Sequence, residues 1–320
     1  MIENKTNFFW SGALLLTAFI WGFAFIVVKE SLDLVPTLFL LSARFSLAAL
    51  ILLVVLRKKI HLLDRRQVRD GIILGIFLFL AYVFQTYGCL YTTAGKNAFL
   101  TTLYCILVPF FNFLIFRKKV NAYHMSAAVL AIFGIALLTL PGSGAGIAGA
   151  QGGGFFGAVN PGDILTLICG VFFALQIVFT SKFTEKGDPI LLTFVQLCVC
   201  GCLSIVSSLF IDGNPIELIG EINAEVVKSI LFLAVFSTLI CFLMQNLSQK
   251  HLHPVTASVL MSMESVFGIL CSAIFLHEEI TPRILAGSAI MFVAVLIAEV
   301  LGDNPELIKT VSPLRKADNA

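Results

Sequence analysis

The feature that most constrains this chain is a series of ten apolar runs, most about 20 residues long, separated by short polar breaks. A helix rising 1.5 Å per residue needs about 20 residues to cross ~30 Å of hydrocarbon. The runs are read as membrane spans at 8–28, 36–56, 71–91, 98–116, 123–140, 164–181, 189–211, 228–247, 255–276 and 282–301. The composition agrees: 12% of the chain is charged, where a soluble domain carries ~25%. A membrane β-barrel would need ~10-residue segments of alternating polarity, and the runs do not alternate. The first run is too long for a signal-peptide core and no small-x-small cleavage pattern follows it, so it is read as a retained helix.

The spans fall into two copies of one unit. A shift of 160 places Gln245 on Gln85, Leu260 on Leu100, Glu264 on Tyr104 and the break at His277 on the break at Arg117, without a gap from 85–138 to 245–298. Basic residues set the expected orientation. Of 21 Lys and Arg residues, Lys29, Lys96, Lys228 and Arg283 fall on one face and Arg44 within a span; the remaining sixteen fall on the face that bears both termini. Both termini are therefore expected in the cytoplasm and the chain in the plasma membrane. Ten spans with both ends on one face give five spans per copy, so the copies insert in opposite senses. The expected fold is an all-α membrane protein of two inverted five-helix repeats, 8–140 and 164–301, joined by a Gly-rich linker at 141–163 and followed by a polar tail at 302–320. Inverted repeats are a transporter signature, because exchanging the conformations of the halves turns an inward-open state outward-open.

Few residues could carry chemistry within the spans. Glu264 lies nine residues into its span, roughly 13 Å deep, and Arg44 eight residues into its own, about 12 Å from the opposite surface. An ionisable residue at such depth is costly and is read first as functional. Glu264 suits a proton or cationic substrate group, or else fixes helix packing; Arg44 suits a substrate carboxylate, or else satisfies helix-end carbonyls or snorkels. Asn97, Thr101 and Tyr104 share one helical face by their spacing, and Ser237, Cys241 and Gln245 another; the latter is answered through the repeat by Phe77, Ala81 and Gln85. Such stripes are either an interior surface or hydrogen-bonding glue between helices. Trp21, Phe25 and Tyr82 either line a pathway or pack. The expected substrate-binding residues are Glu264, Tyr104, Gln85, Gln245, Asn97, Arg44 and Trp21.

Other signals are read as structural. The eight cysteines lie in apolar runs with no C-x-x-C pair and are read as packing residues. Gly144-Ala-Gly146-Ile-Ala-Gly149 matches a dinucleotide fingerprint but lacks its strand and helix, so it is read as linker. His251, His253, His277, Glu278 and Glu279 sit at loop edges and are read as solvated. No hydrolase, zincin or Walker motif is present, so no enzyme activity, cofactor, metal or nucleic-acid partner is expected.

Three motif groups in the first half, Ala18-Phe-Ile-Trp21-Gly22-Phe, Ser42-Ala-Arg44-Phe and Thr92-Thr-Ala-Gly95-Lys-Asn-Ala-Phe-Leu100 with Pro109-Phe, resemble the first EamA repeat of the drug/metabolite transporter superfamily. Ser262-Met-Glu264-Ser-Val266-Phe, Leu276-His-Glu278 and Ala286-Gly287-Ser resemble the second. The resemblance spans about 10–300 and implies ten spans, inverted repeats and a central cavity lined by spans one, three, four, six, eight and nine. Two departures stand out. The family's Glu-Pro is Glu264-Ser265 here, which would straighten span nine, and the Gly before the acidic residue at its end is His277. The expected function is a secondary transporter for a small polar or amphipathic metabolite, such as an amino acid, or a drug, with proton coupling through Glu264 and a homodimer as open possibilities. The alternative is a channel-like or structural membrane subunit.

Overall fold

The computed structural model describes residues 2–117, 122–139, 160–212, 223–277, 282–297 and 301. Every regular element among them is helical. In chain order these are α1 (Ile2–Leu32), α2 (Thr37–Leu56), α3 (Arg65–Tyr91), α4 (Ala94–Phe116), α5 (Ala122–Thr139), α6 (Pro161–Thr184), α7 (Pro189–Ile211), α8 (Ala224–Gln249), α9 (Pro254–Phe275) and α10 (Pro282–Leu296). Eight of them, all but α5 and α10, are long and apolar enough to cross a membrane; those two contain the shorter apolar stretches Met125–Gly134 and Leu285–Ala294. The Gly-rich linker up to residue 159, the tail at 302–320, and Glu278 and Glu279 lie outside the described residues.

Several helices run past their apolar stretches because polar end residues cap them. Asp64 accepts from Gln67 N and forms a capping box, so α3 starts at Arg65 rather than at the expected 71. Thr93 caps α4, which starts at Ala94 rather than at the expected 98, and Asn160, Asp188 and Asn223 cap α6, α7 and α8. Asp212, at the end of α7, accepts 2.7 Å from Phe39 N and so satisfies a free amide at the start of α2.

Two helices read as continuous are broken. α4 consists of Ala94–Thr101 and Tyr104–Phe116, and α9 of Pro254–Met261 and Glu264–Phe275. The expectation that losing the proline straightens span nine is therefore corrected: the break stands without it. Around it the backbone tightens, with Met263 N on Leu260 O and Ser265 N on Ser262 O. Ser258, Ser262 and Ser265 each donate a hydroxyl to the carbonyl three residues back, a competition that bends helices.

α3 and α7 run in the same direction, since Gly71 faces Val195 and Gly75 faces Val199. The start of both lies on the face that carries the basic 57–69 loop, here the basic face. Trp10 stacks on His251 at that face, while Lys29 bonds the carbonyls of Cys89, Leu90 and Thr92 at the far face. The main packings are α3 on α6, α2 on α7, α3 on α7, α5 on α10, α1 on α9, α1 on α8, α4 on α9, α2 on α8 and α4 on α6.

Candidate functional site

A cavity lies between α1, α2, α3, α4, α6, α8 and α9. Its wall runs along Trp21–Val28 of α1 and Tyr82–Cys89 of α3 towards the far face and reaches Gln245 of α8 on the basic-face side. All seven residues expected at the site border it: Glu264, Tyr104, Gln85, Gln245, Asn97, Arg44 and Trp21. The lining suits an amphipathic small molecule, with mostly apolar walls and few polar groups.

The break in α9 puts Glu264 in the first turn of its second half, where the backbone dipole favours negative charge. The equivalent break in α4 puts Tyr104 at the same place. The Tyr104 hydroxyl faces the Glu264 carboxylate without reaching hydrogen-bond geometry. Among the described residues Glu264 has no ion pair.

Arg44 is 1% exposed, so it does not snorkel. Its Nε donates to Thr238 Oγ1 at 2.9 Å and its Nη2 to Ser237 Oγ at 3.0 Å. The guanidinium lies 4.8 Å from the centre of the Tyr82 ring and 5.3 Å from that of Phe45. Residues Leu233–Ile240 of α8 form a π-helix. Its wider turn carries both hydroxyls to Arg44, and the Ser237 carbonyl accepts from Trp21 Nε1 at 2.8 Å. The helical periodicity used to read the 237–241–245 stripe does not hold through a π segment. Ser237 and Gln245 border the cavity whereas Cys241 does not. Tyr82 sits within electrostatic reach of both Arg44 and Glu264.

The amide residues differ from one another. Asn97 is fully engaged: its Nδ2 donates to Gln85 O at 2.9 Å and the Thr166 hydroxyl lies 3.0 Å from its Oδ1. Gln85 Nε2 reaches Thr101 Oγ1 at 3.3 Å. Gln245 donates to Gln176 and leaves its own Oε1 unpartnered. Of the answering stripe, Phe77 packs on Phe179 instead of entering the wall. Phe173, Ile177 and Thr86 border the cavity although they were not expected there.

The sequence profile of the EamA-like transporter family matches this chain twice, at residues 8–140 and 160–299. The chain belongs to the EamA-like transporter family. An uncharacterized transporter of Archaeoglobus fulgidus is 32% identical over 284 residues, covering 89% of this chain and 83% of the relative. A probable amino-acid metabolite efflux pump of Escherichia coli is 22% identical over 292 residues, covering 88% and 92%. A crystal structure superposes with a TM-score of 0.69 at 16% identity, covering 91% of this chain and 98% of the other, a likeness of fold. As an EamA-like protein with many apolar helices, the chain is a multi-pass membrane transporter for small molecules.

Proposed function

We propose that this transporter moves a small metabolite carrying both an anionic and a cationic group, an amino acid or a related amphipathic solute, by alternating access in the plasma membrane. One observation carries the reading. Arg44 and Glu264, both buried, border one cavity, and neither is ion-paired with any described residue. Buried charges are normally paired, and a zwitterion would supply the missing partner to each. Trp21, Phe25, Tyr82, Tyr104 and Phe173 give its apolar part a surface. The efflux-pump name of the Escherichia coli relative points the same way. Glu264 is the group through which transport would couple to protons.

Alternating access draws support from the packing. Exchange the first five helices for the last five, and α3 on α6 becomes α8 on α1, α3 on α7 becomes α8 on α2, and α4 on α6 becomes α9 on α1. α2 on α7, α4 on α9 and α5 on α10 map onto themselves. All of these packings occur. The parallel course of α3 and α7 makes α2 and α7, equivalent helices, run oppositely, in keeping with ten spans as inverted repeats and both termini in the cytoplasm. The test is thermal stability of the detergent-purified chain against a metabolite panel, wild type beside Glu264→Gln. A ligand that binds the folded state raises the midpoint. A zwitterion hit lost in the variant supports the reading; hits confined to uncharged or singly charged compounds overturn it.

A further inference from the structure

On the basic-face side of the cavity lies a second polar cluster that meets the cavity wall at Gln245 and Ile177. Gln245 borders the cavity and donates through Nε2 to Gln176 Oε1 at 2.9 Å and to Gln249 Oε1 at 3.4 Å. Gln176 Nε2 donates to Thr180 Oγ1 at 3.0 Å, and Thr184 Oγ1 to Thr180 O at 2.8 Å. Gln249 Nε2 donates to Ile177 O at 3.3 Å. All five side chains are buried, while the next residues along the two helices, Glu185 and Lys250, are exposed. The ladder thus leads from the cavity wall along α6 and α8 to the basic face, about 12 Å for the eight residues from Gln176 to Thr184.

A permanent seal would be better made of apolar side chains. A partly satisfied amide network in low dielectric is a poorer seal than a hydrocarbon one, and here Gln245 Oε1 has no partner. Part of the core at this level is apolar, with Leu14, Ala18, Leu252 and Val255 in one cluster, while Asn246 and Thr193 pair between α8 and α7. Amides and hydroxyls have one advantage: when the helices part, each can exchange its partner for water or for a polar solute. We infer that the ladder is the closed second half of the translocation route. Gln176, Thr180 and Gln249 are its gate residues, which a solute leaving the cavity passes when α6 and α8 separate. The inference rests on the cavity being the substrate site.

Asn246 provides an internal control. It neighbours Gln245 on α8 and is equally buried, but it faces α7, donating to Thr193 Oγ1 at 2.8 Å. The experiment uses the full chain in proteoliposomes with its native cysteines replaced and a single cysteine introduced as Gln249→Cys, Thr180→Cys or Asn246→Cys. A charged, membrane-impermeant methanethiosulfonate is applied from the basic face. A minor open state of 0.1–10% exposes only the ladder, so Gln249→Cys and Thr180→Cys should react about tenfold or more faster than Asn246→Cys. Thr180→Cys exchanges a hydroxyl for a thiol and serves if Gln249→Cys does not fold. Equal, slow reaction at all three positions makes the ladder interhelical glue and overturns the inference. Binding of L-phenylalanine, followed by thermal shift on the wild type, separates the two readings. Selective labelling without binding of this or any other zwitterion leaves the gate standing and removes the substrate class, and binding without selective labelling does the reverse.

Discussion

Tyr104 and Glu264 stand at the same place in two broken helices. Each is the first residue after its break, 160 positions apart, and their side chains face one another at the cavity wall. One break carries a phenol at this position and the other a carboxylate, so the two positions differ in charge. Glu264→Gln keeps the shape and removes the charge. The charge-assisted bond to a cationic ligand group, ~1.5–3 kcal/mol, goes with it. The expected result is roughly 10- to 100-fold weaker binding, read from the concentration dependence of the thermal shift, with a smaller loss for Tyr104→Phe. An unchanged affinity in Glu264→Gln would remove Glu264 from the site. Transport driven by a pH gradient should also lose its dependence on that gradient in this variant.

Arg44 is held by fork geometry and by ring faces, which lysine does not reproduce. Arg44→Lys gives up the bonds to Ser237 and Thr238 together with the stacking on Tyr82 and Phe45. A loss of about 2–3 kcal/mol in unfolding free energy is expected, measured by denaturation in detergent. Tolerance of lysine with unchanged stability would mean that Arg44 does not anchor the π segment of α8.

What the sequence made legible was periodic and local. The apolar runs located α1 to α10, the shift of 160 found the paired breaks, and polarity within spans named seven residues that border one cavity. What it could not show came from departures in backbone geometry. The π-helix at Leu233–Ile240 has no composition signal, and it decides which residues of α8 meet Arg44 and Trp21. At the break before Glu264 several serine hydroxyls compete for carbonyls, and serine is a far weaker sequence signal of a break than proline. Phe173 and Ile177 looked like any apolar span residue, because entry to the cavity is set by how α6 packs on α3.

Close helix contact sets a further expectation. A Cβ on Gly22 would lie 2.7 Å from Gly268 N and from Phe267 Cβ, whereas one on Gly12 would meet nothing within 4 Å. Gly22→Ala must push α1 from α9 and should destabilise by about 1–3 kcal/mol. Gly12→Ala, in the same helix, should be neutral or gain up to ~1 kcal/mol from helix propensity. Comparing the two melting temperatures checks this; equal shifts would contradict the α1–α9 packing.

The last turns of α4 and α9 end alike. Arg117 has φ 52° and His277 φ 54°, both left-handed, and the two positions are again 160 apart. Left-handed backbone costs roughly 1–2 kcal/mol for a residue with a Cβ and almost nothing for glycine. Both side chains are exposed, so little packing is lost on their removal. His277→Gly should therefore stabilise the chain by about 1 kcal/mol through a better helix cap, and Arg117→Gly by a similar amount. His277→Val, branched at Cβ, should destabilise by at least as much. The three melting temperatures, taken in one detergent, test the geometry: if glycine lowers stability at both positions, the left-handed caps are not what ends these helices.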